Sequence, residues 1–210
     1  GYSLPRMDYF KNVRVSATGD VDTIHFYGIS TAVLFLLLCA IPVSAYLASG
    51  SASMKGQLAP IGVGKGTLVA ARILGVGMLF LTVALCTALG ASFAGLIEFS
   101  LPGLAALVMV CLGAASLVVF LYQAAGSLMG GVMLLFLAVT AMHFLSGGFL
   151  PLVFLPSTFR AAGPFLPTYV LMEGMKLVVT SSFSLAVFIK LVVLAMAGFL
   201  LSVGAEVVRE

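Results

Sequence analysis

Residues 99–159 read FSLPGLAALVMVCLGAASLVVFLYQAAGSLMGGVMLLFLAVTAMHFLSGGFLPLVFLPSTF and include no Lys, Arg, Asp or Glu. As a single helix this run would be about 90 Å long, whereas the hydrocarbon core of a bilayer is about 30 Å thick. The run must therefore turn back on itself inside the membrane. It predicts at least two membrane spans followed by further membrane-embedded chain.

The composition of the whole chain supports the same interpretation. Of its 210 residues, 62% are apolar and 8% are charged, whereas soluble domains have roughly 45–50% and about 25%. The ranges 23–54 and 73–97 are also free of charged side chains. This balance excludes soluble, disordered and nucleic-acid-binding proteins, so no nucleic-acid partner is expected. The predicted fold class is an all-α polytopic membrane protein embedded in the lipid bilayer.

Five stretches have the length and apolar character of a transmembrane helix. Turn signals such as Pro102–Gly103 separate them. An odd number of spans places the two termini on opposite sides of the membrane. The Lys and Arg residues are divided too evenly between the two sides to choose an orientation. The predicted spans are Phe26 to Leu47, Leu68 to Phe93, Leu104 to Tyr122, Leu128 to Leu145 and Ser184 to Val203.

Residues 146–176 are apolar enough to enter the bilayer, but their prolines and glycines rule out one straight helix. Non-helical backbone at membrane depth persists only where protein or trapped water satisfies its polar groups. We therefore predict a re-entrant helical hairpin here, before the last span. The residues assigned to this gate are Gly147, Gly148, Pro151, Pro156, Pro164, Pro167 and Glu173.

Glu173 lies three residues before Lys176, so the two could pair on one helical face. The alternative is that Glu173 lines a polar pathway or a gate. Arg72 and Lys190, near the ends of their spans, are expected to snorkel towards the interface.

Residues 48–67 form a long internal loop of small, polar and basic residues. Met54 and Leu58 recur at helical spacing beside Lys55, which is typical of a short amphipathic helix at the membrane surface. Pro60 limits the length of such a helix, and a plain connecting loop is the alternative. The GVGKGT stretch at 62–67 departs from the phosphate-binding pattern, so ATP would have to bind another chain.

No pattern for covalent chemistry is present. His25 and His143 have no Cys, His or carboxylate at ligand spacing, so we interpret both as interfacial side chains rather than metal ligands. The chain contains neither H-E-x-x-H nor G-x-S-x-G. We therefore expect a protein that is not an enzyme and that binds no cofactor or metal itself.

The order of these elements resembles the membrane subunits of type-2 ABC exporters. Residues 145–178 (LSGGFLPLVFLPSTFRAAGPFLPTYVLMEGMKLV) resemble the external proline-rich hairpin of that family. Residues 54–75 (MKGQLAPIGVGKGTLVAARILG) resemble its cytoplasmic loop, in which a basic, Gly-containing turn and a proline lead into a span. The match covers about residues 25–206 and lacks the first span of the family.

The resemblance implies an exporter transmembrane domain at 25–206, preceded by an extracytoplasmic tail at 1–24 that follows a missing or truncated N-terminal part. It implies a coupling loop at 48–67, in which Met54, Lys55, Leu58 and Pro60 contact a cytoplasmic ABC ATPase subunit. ATP and Mg²⁺ would be bound by that partner. A second permease subunit would complete a homodimer or heterodimer in the plasma membrane, with the N-terminal end outside and the C-terminus in the cytoplasm.

The predicted function is ATP-driven export of an amphiphilic, lipid, peptide or drug-like substrate. Two alternatives stay open from the sequence. One is an ion-coupled secondary carrier, whose broken helix would form a binding site near the membrane midplane. The other is a membrane scaffold that transports nothing.

Overall fold

The computed structural model describes residues 23–43, 64–93 and 100–208 of the chain. Every regular element in these ranges is a helix. The helices are α1 (Thr23–Leu38), α2 (Lys65–Phe93), α3 (Leu101–Ala125), α4 (Leu128–Leu145), α5 (Ser157–Ala162), α6 (Pro167–Thr180) and α7 (Leu185–Val208), with 3-10 turns at Leu152–Phe154 and Gly163–Phe165.

Five of the helical segments are long and apolar enough to cross a membrane. This confirms the predicted all-α polytopic membrane fold, and the protein is a multi-pass membrane protein. The five segments are His25–Val43, Lys65–Phe93, Leu101–Ala125, Leu128–Leu145 and Leu185–Val208.

Helix α3 begins at Leu101, earlier than the predicted Leu104, because its first turn has a strong N-cap. The Ser100 hydroxyl accepts a hydrogen bond from the Gly103 N–H at 3.1 Å. Pro102 lies in this turn, where a helix needs no N–H donor. The interpretation of Pro102–Gly103 as a turn between spans was therefore wrong, since both residues belong to the helix.

Helix α3 forms the centre of the bundle, and small side chains along it let other helices approach closely. Gly113 contacts the side chains of Leu171 in α6 and Leu194 in α7. Ser116 lies against Gly198 of α7. Apolar side chains from the other helices complete one continuous core around α3. The position of α3 explains why it is the most buried of the five candidate spans.

Helix α6 runs antiparallel to α3 and covers only its first half. Gly103 lies beside Val178, whereas Gly113 lies beside Leu171. Residue numbers therefore increase along α3 in the direction in which they decrease along α6. Fourteen residues of helix extend about 21 Å, which is too short to cross a core of about 30 Å. The broken element predicted between the fourth and last spans is therefore present as two short helices, α5 and α6.

The bundle has two ends, which we name by their elements. The hairpin end contains the C-terminus of α4, helix α5 and the N-terminus of α7. The opposite end contains the N-terminus of α2 and the C-termini of α3 and α7. Because α4 and α7 meet the intervening segment at the same end, that segment leaves and rejoins the bundle on one side.

The close contact between α3 and α7 predicts opposite effects for two alanine substitutions in α7. A Cβ at Gly198 would lie 2.5 Å from Ser116 Oγ and 3.0 Å from the Ser116 carbonyl carbon, whereas a Cβ at Gly204 meets nothing within 4 Å. Gly198→Ala should therefore destabilise the protein by about 1–3 kcal/mol through overpacking. Gly204→Ala should be neutral or stabilising by up to about 1 kcal/mol, because alanine favours helix.

Thermal unfolding of the detergent-solubilised variants, followed by far-UV circular dichroism, measures both effects. Gly204→Ala serves as the control for helix propensity. Equal midpoints for the two variants would contradict the close packing of α7 on α3.

Candidate functional site

Helix α4 ends with the backbone pattern that stops a helix at a left-handed glycine. The Gly148 N–H donates to the His143 carbonyl oxygen at 2.9 Å, and the Gly147 N–H donates to the Phe144 carbonyl oxygen at 3.1 Å. These paired bonds form a Schellman motif. Gly147 has a φ of 86°, a conformation that favours glycine. Gly147, one of the predicted gate residues, is therefore the position at which the chain turns from α4 into the hairpin.

A buried serine joins α1 to the first residues of the hairpin. The Ser30 hydroxyl donates to the Gly148 carbonyl oxygen at 2.7 Å. The same Ser30 oxygen lies 2.8 Å from His143 Nε2. Because the single hydroxyl proton points to the carbonyl, Nε2 must carry the hydrogen of the second bond. Ser30, His143 and Gly148 thus form one polar link between α1, α4 and the hairpin.

The prediction that His143 is an interfacial side chain was wrong. The side chain is almost fully buried, and a Cβ on Gly148 would collide with its ring. Its Nδ1 atom is buried without a hydrogen-bond partner among the described residues. A second N–H at this atom would be buried and unsatisfied, so the neutral ring is favoured. His143 is therefore a structural hydrogen-bond donor at the base of the hairpin.

The four predicted gate prolines lie at the starts of short helical elements. Pro151 precedes the first 3-10 turn, and Pro156 precedes α5. Pro164 lies in the first positions of the second 3-10 turn, and Pro167 is the first residue of α6. These are positions at which the missing N–H costs no helical hydrogen bond. The prolines therefore divide the segment into short elements without leaving broken bonds inside a helix.

The start of α6 is fixed to the last turn of α4. The Thr168 hydroxyl donates to the Met142 carbonyl oxygen at 2.9 Å, and Thr168 is completely buried. Gly163 lies against the Leu145 carbonyl oxygen and the Leu152 side chain. The two ends of the irregular segment are thus close together, as a hairpin requires.

Glu173 does not pair with Lys176, the partner that the sequence favoured. Its carboxylate instead accepts a hydrogen bond from Lys190 Nζ of α7 at 2.7 Å, and both side chains are partly exposed. One turn earlier, burial raises the pKa of Tyr169, and the negative charge and hydrogen bond of Glu173 raise it further. Glu173 therefore joins α6 to α7 through an ion pair with Lys190.

A second ion pair lies at the opposite end of the bundle. Arg72 Nη1 of α2 lies 3.3 Å from the Glu206 carboxylate of α7, and both side chains are largely buried. The sequence did not predict this carboxylate as the partner of Arg72. Helix α7 continues past the predicted end at Val203 and ends at Val208, so Glu206 lies within it.

Gln123 at the end of α3 completes this second polar cluster. Its amide oxygen accepts from Arg72 Nη1 at 2.9 Å, and its amide nitrogen donates to the Ser202 carbonyl oxygen at 3.0 Å. The oxygen and nitrogen are assigned from these bonds. The Arg72–Gln123–Glu206 cluster therefore ties α2, α3 and α7 together at the opposite end.

The residues predicted to contact an ATPase lie outside the described residues. These are Met54, Lys55, Leu58 and Pro60 of the predicted coupling loop, and the same holds for most of the predicted tail at 1–24. Within the described ranges, no three His, Cys, Asp or Glu side chains come together as a metal site would need.

Sequence reasoning missed the polar contacts between helices that Ser30, His143, Gln123 and Glu206 make. The available signal was their polarity within apolar helices, because a polar group at membrane depth requires a partner.

Comparison of the chain with family models, with curated proteins and with solved structures gave no match. The candidate site is therefore defined by its own geometry, which consists of the hairpin and the polar links around it.

The link through Ser30 predicts a specific loss of stability. Ser30→Ala removes the bond to the Gly148 carbonyl oxygen and leaves the Nε2–H of His143 unsatisfied. We expect a cost of about 1–3 kcal/mol, because buried polar groups lose their partners. Ser157→Ala, at an exposed position of α5, is the matched control and should change stability by less than about 0.5 kcal/mol. Thermal unfolding of the purified variants provides the measurement, and equal stability of the two would contradict the polar link.

Proposed function

We propose that this chain is the permease subunit of an ATP-driven ABC exporter, moving an amphiphilic, lipid, peptide or drug-like substrate. The observation that carries the proposal is α6, which returns along half of α3 without crossing the bundle. A short return helix between the fourth and last spans is the arrangement that the resemblance to type-2 exporters implies. The chain itself would perform no covalent chemistry.

The sequence departs from the phosphate-binding pattern, so the proposed exporter needs partner subunits that bind ATP. ATP and Mg²⁺ would bind cytoplasmic ABC ATPase subunits, which contact the loop at 48–67. A second permease subunit, identical or different, would form the other half of the transport path. The complex would lie in the plasma membrane, with the hairpin end outside and the C-terminus in the cytoplasm.

The polar links support a route by which the loop could act on the transport path. The loop joins α1 to α2. Helix α1 is connected to the hairpin through Ser30, and α2 is connected to α7 through Arg72. Displacement of the loop would therefore reach the hairpin through α1 and would reach α7 through α2. Rigid-body motion of this kind would open and close a path between the two permease subunits.

An ion-coupled carrier is less well supported. Such a carrier binds its coupling ion at polar groups and carboxylates within the membrane. The two carboxylates of the described residues, Glu173 and Glu206, both have a cationic partner. Neither of these two carboxylates is an open ion ligand in this conformation, and Glu98 lies outside the described residues.

The first test of the exporter is recovery of its ATPase. The tagged chain, solubilised from its native membranes in mild detergent, should co-purify with a protein that has a phosphate-binding loop, and the purified complex should hydrolyse ATP.

Replacement of both Met54 and Leu58 with Asp should reduce stimulated ATP hydrolysis at least tenfold, because charges would disrupt an apolar docking face. Ser182→Asp, at an exposed position of the hairpin end, is the control and should retain activity. Full activity of the double variant would exclude this loop as the coupling element, and uptake driven by an ion gradient alone would favour the carrier.

The second test concerns the orientation of the hairpin. Single cysteines at Ser157 and Ser182, in a background lacking Cys39, Cys86 and Cys111, report from which side the segment is accessible. Both positions are exposed, so an impermeant thiol reagent added outside intact cells should label Ser182→Cys readily and Ser157→Cys at least partly. Labelling of Ser157→Cys only after the cytoplasmic side is exposed would mean that the segment crosses the membrane.

A further inference from the structure

A cavity of about 320 Å³ lies between α1, α2, α3 and α6 in the half of the bundle nearest the hairpin end. Its wall is almost entirely apolar and includes many small side chains. The residues that define its shape are Gly28, Ala32, Ala84, Ala88, Leu107 and Val178.

The cavity exists because α1 and α2 diverge although they are consecutive spans. Among the described residues, α1 packs chiefly on α6 and α4 and touches α2 only sparsely. The small side chains on the facing surfaces, such as Ala32 of α1 and Ala84 of α2, do not fill the space between them. The polar link from Ser30 to Gly148 holds α1 in this position.

Water is a poor occupant of this cavity. The cavity is open on one side, where His25, Phe35 and Thr87 are exposed. An ordered water needs two to four polar partners, and among the described residues the polar side chains of the wall are His25 and Thr87. The Thr87 hydroxyl already donates to the Val83 carbonyl oxygen of its own helix at 2.8 Å. An apolar occupant is therefore favoured over water, and the apolar molecules surrounding a multi-pass membrane protein have alkyl chains.

His25 is the ionisable residue among the described residues of the wall, and it gives the occupant a direction. His25 is exposed and lies near the start of α1 at the hairpin end. Its imidazole can donate a hydrogen bond to an anionic oxygen. The volume lies at the small end of the range for ligand pockets, which fits one chain rather than two.

We propose that this cavity binds the single alkyl chain of an amphiphile whose anionic head group, a carboxylate or a phosphate, lies beside His25. The site uses residues of one subunit and does not rest on the transport function proposed above. Binding can therefore be present even if the chain is not an exporter, and export can occur without this site.

The absence of tryptophan in the chain permits a direct measurement. Met175, which lines the cavity, is replaced by Trp in the purified full chain in nanodiscs of unbrominated lipid. Met196→Trp is the matched control, because Met196 is 53% exposed on the outer surface of α7. Dibromostearic acid is the quencher. Quenching of Met175→Trp should saturate at a low mole fraction, whereas that of Met196→Trp should rise in proportion to the quencher. Proportional quenching of both reporters would overturn the proposal.

Two variants that narrow the cavity test whether the saturable component comes from this site. Ala88→Phe and Ala32→Leu, each combined with Met175→Trp, should raise the half-saturating concentration at least tenfold. Ala71→Phe, at an exposed position of α2, is the control for adding a large side chain to the helix. It should leave the half-saturating concentration unchanged. Only variants that elute as monodisperse protein are compared, and the two narrowing positions lie on different helices. Unchanged saturation in the narrowed variants would overturn the assignment.

The head group is tested with a neutral quencher and with unlabelled competitors. Dibromostearate methyl ester should bind at least fivefold more weakly than the acid, and His25→Gln should remove most of that difference. Relief of quenching by stearate at the lower concentration identifies a carboxylate head group, and relief by lysophosphatidate identifies a phosphate. Equal binding of acid and ester, or no relief by either competitor, would overturn the proposed head-group position.

Discussion

The close approach of α6 and α7 to α3 is the contact on which the remaining structure depends. It requires positions with little or no side chain, namely Gly113 and Ser116 on α3, Gly174 on α6 and Gly198 on α7. Helices inside a membrane gain little from apolar burial alone, because lipid is equally apolar, so close packing of small residues provides much of their association. With α6 held along the first half of α3, the chain between α4 and α6 has only a short distance to cover. The hairpin is thus a consequence of helix packing as much as of its prolines.

The irregular backbone between α4 and α6 is possible because its polar groups have partners within the protein. The Schellman bonds at Gly147 and Gly148 satisfy the last carbonyls of α4, and Ser30 satisfies the Gly148 carbonyl. Thr168 adds a second bond to the same helix end. Each of these groups would cost free energy if it faced hydrocarbon. The hairpin is therefore fixed by polar contacts at its base, whereas α5 has no buried residue.

The number of long helices and the broken segment were predictable from the sequence, because charge-free runs and clustered prolines act locally. The partners of the charged side chains could not be predicted from the sequence. Glu173 has Lys176 on its own helix, yet it pairs with Lys190 because α6 and α7 are neighbours in the bundle. Arg72 meets Glu206 for the same kind of reason. These partners are far apart in sequence, and periodicity gives no information on which helices become neighbours. His143 was misjudged on the same grounds, since its burial depends on Ser30 of a different span.

The distribution of these contacts makes α1 mechanically distinct from the other long helices. Helices α2, α3 and α7 are joined by the Arg72–Gln123–Glu206 cluster, and α3 and α7 also by close packing. Within the described residues, α1 has sparse contact with α2 and is tied to the hairpin through Ser30 near its N-terminal end. A displacement of α1 together with the base of the hairpin, relative to α2, would change the volume of the cavity between α1 and α2 and would keep both polar links intact. The occupancy of that cavity would then favour some positions of α1 over others. A ligand that binds one conformation more tightly shifts the population towards that conformation. An alkyl chain between α1 and α2 would therefore change the preferred position of the hairpin relative to the bundle.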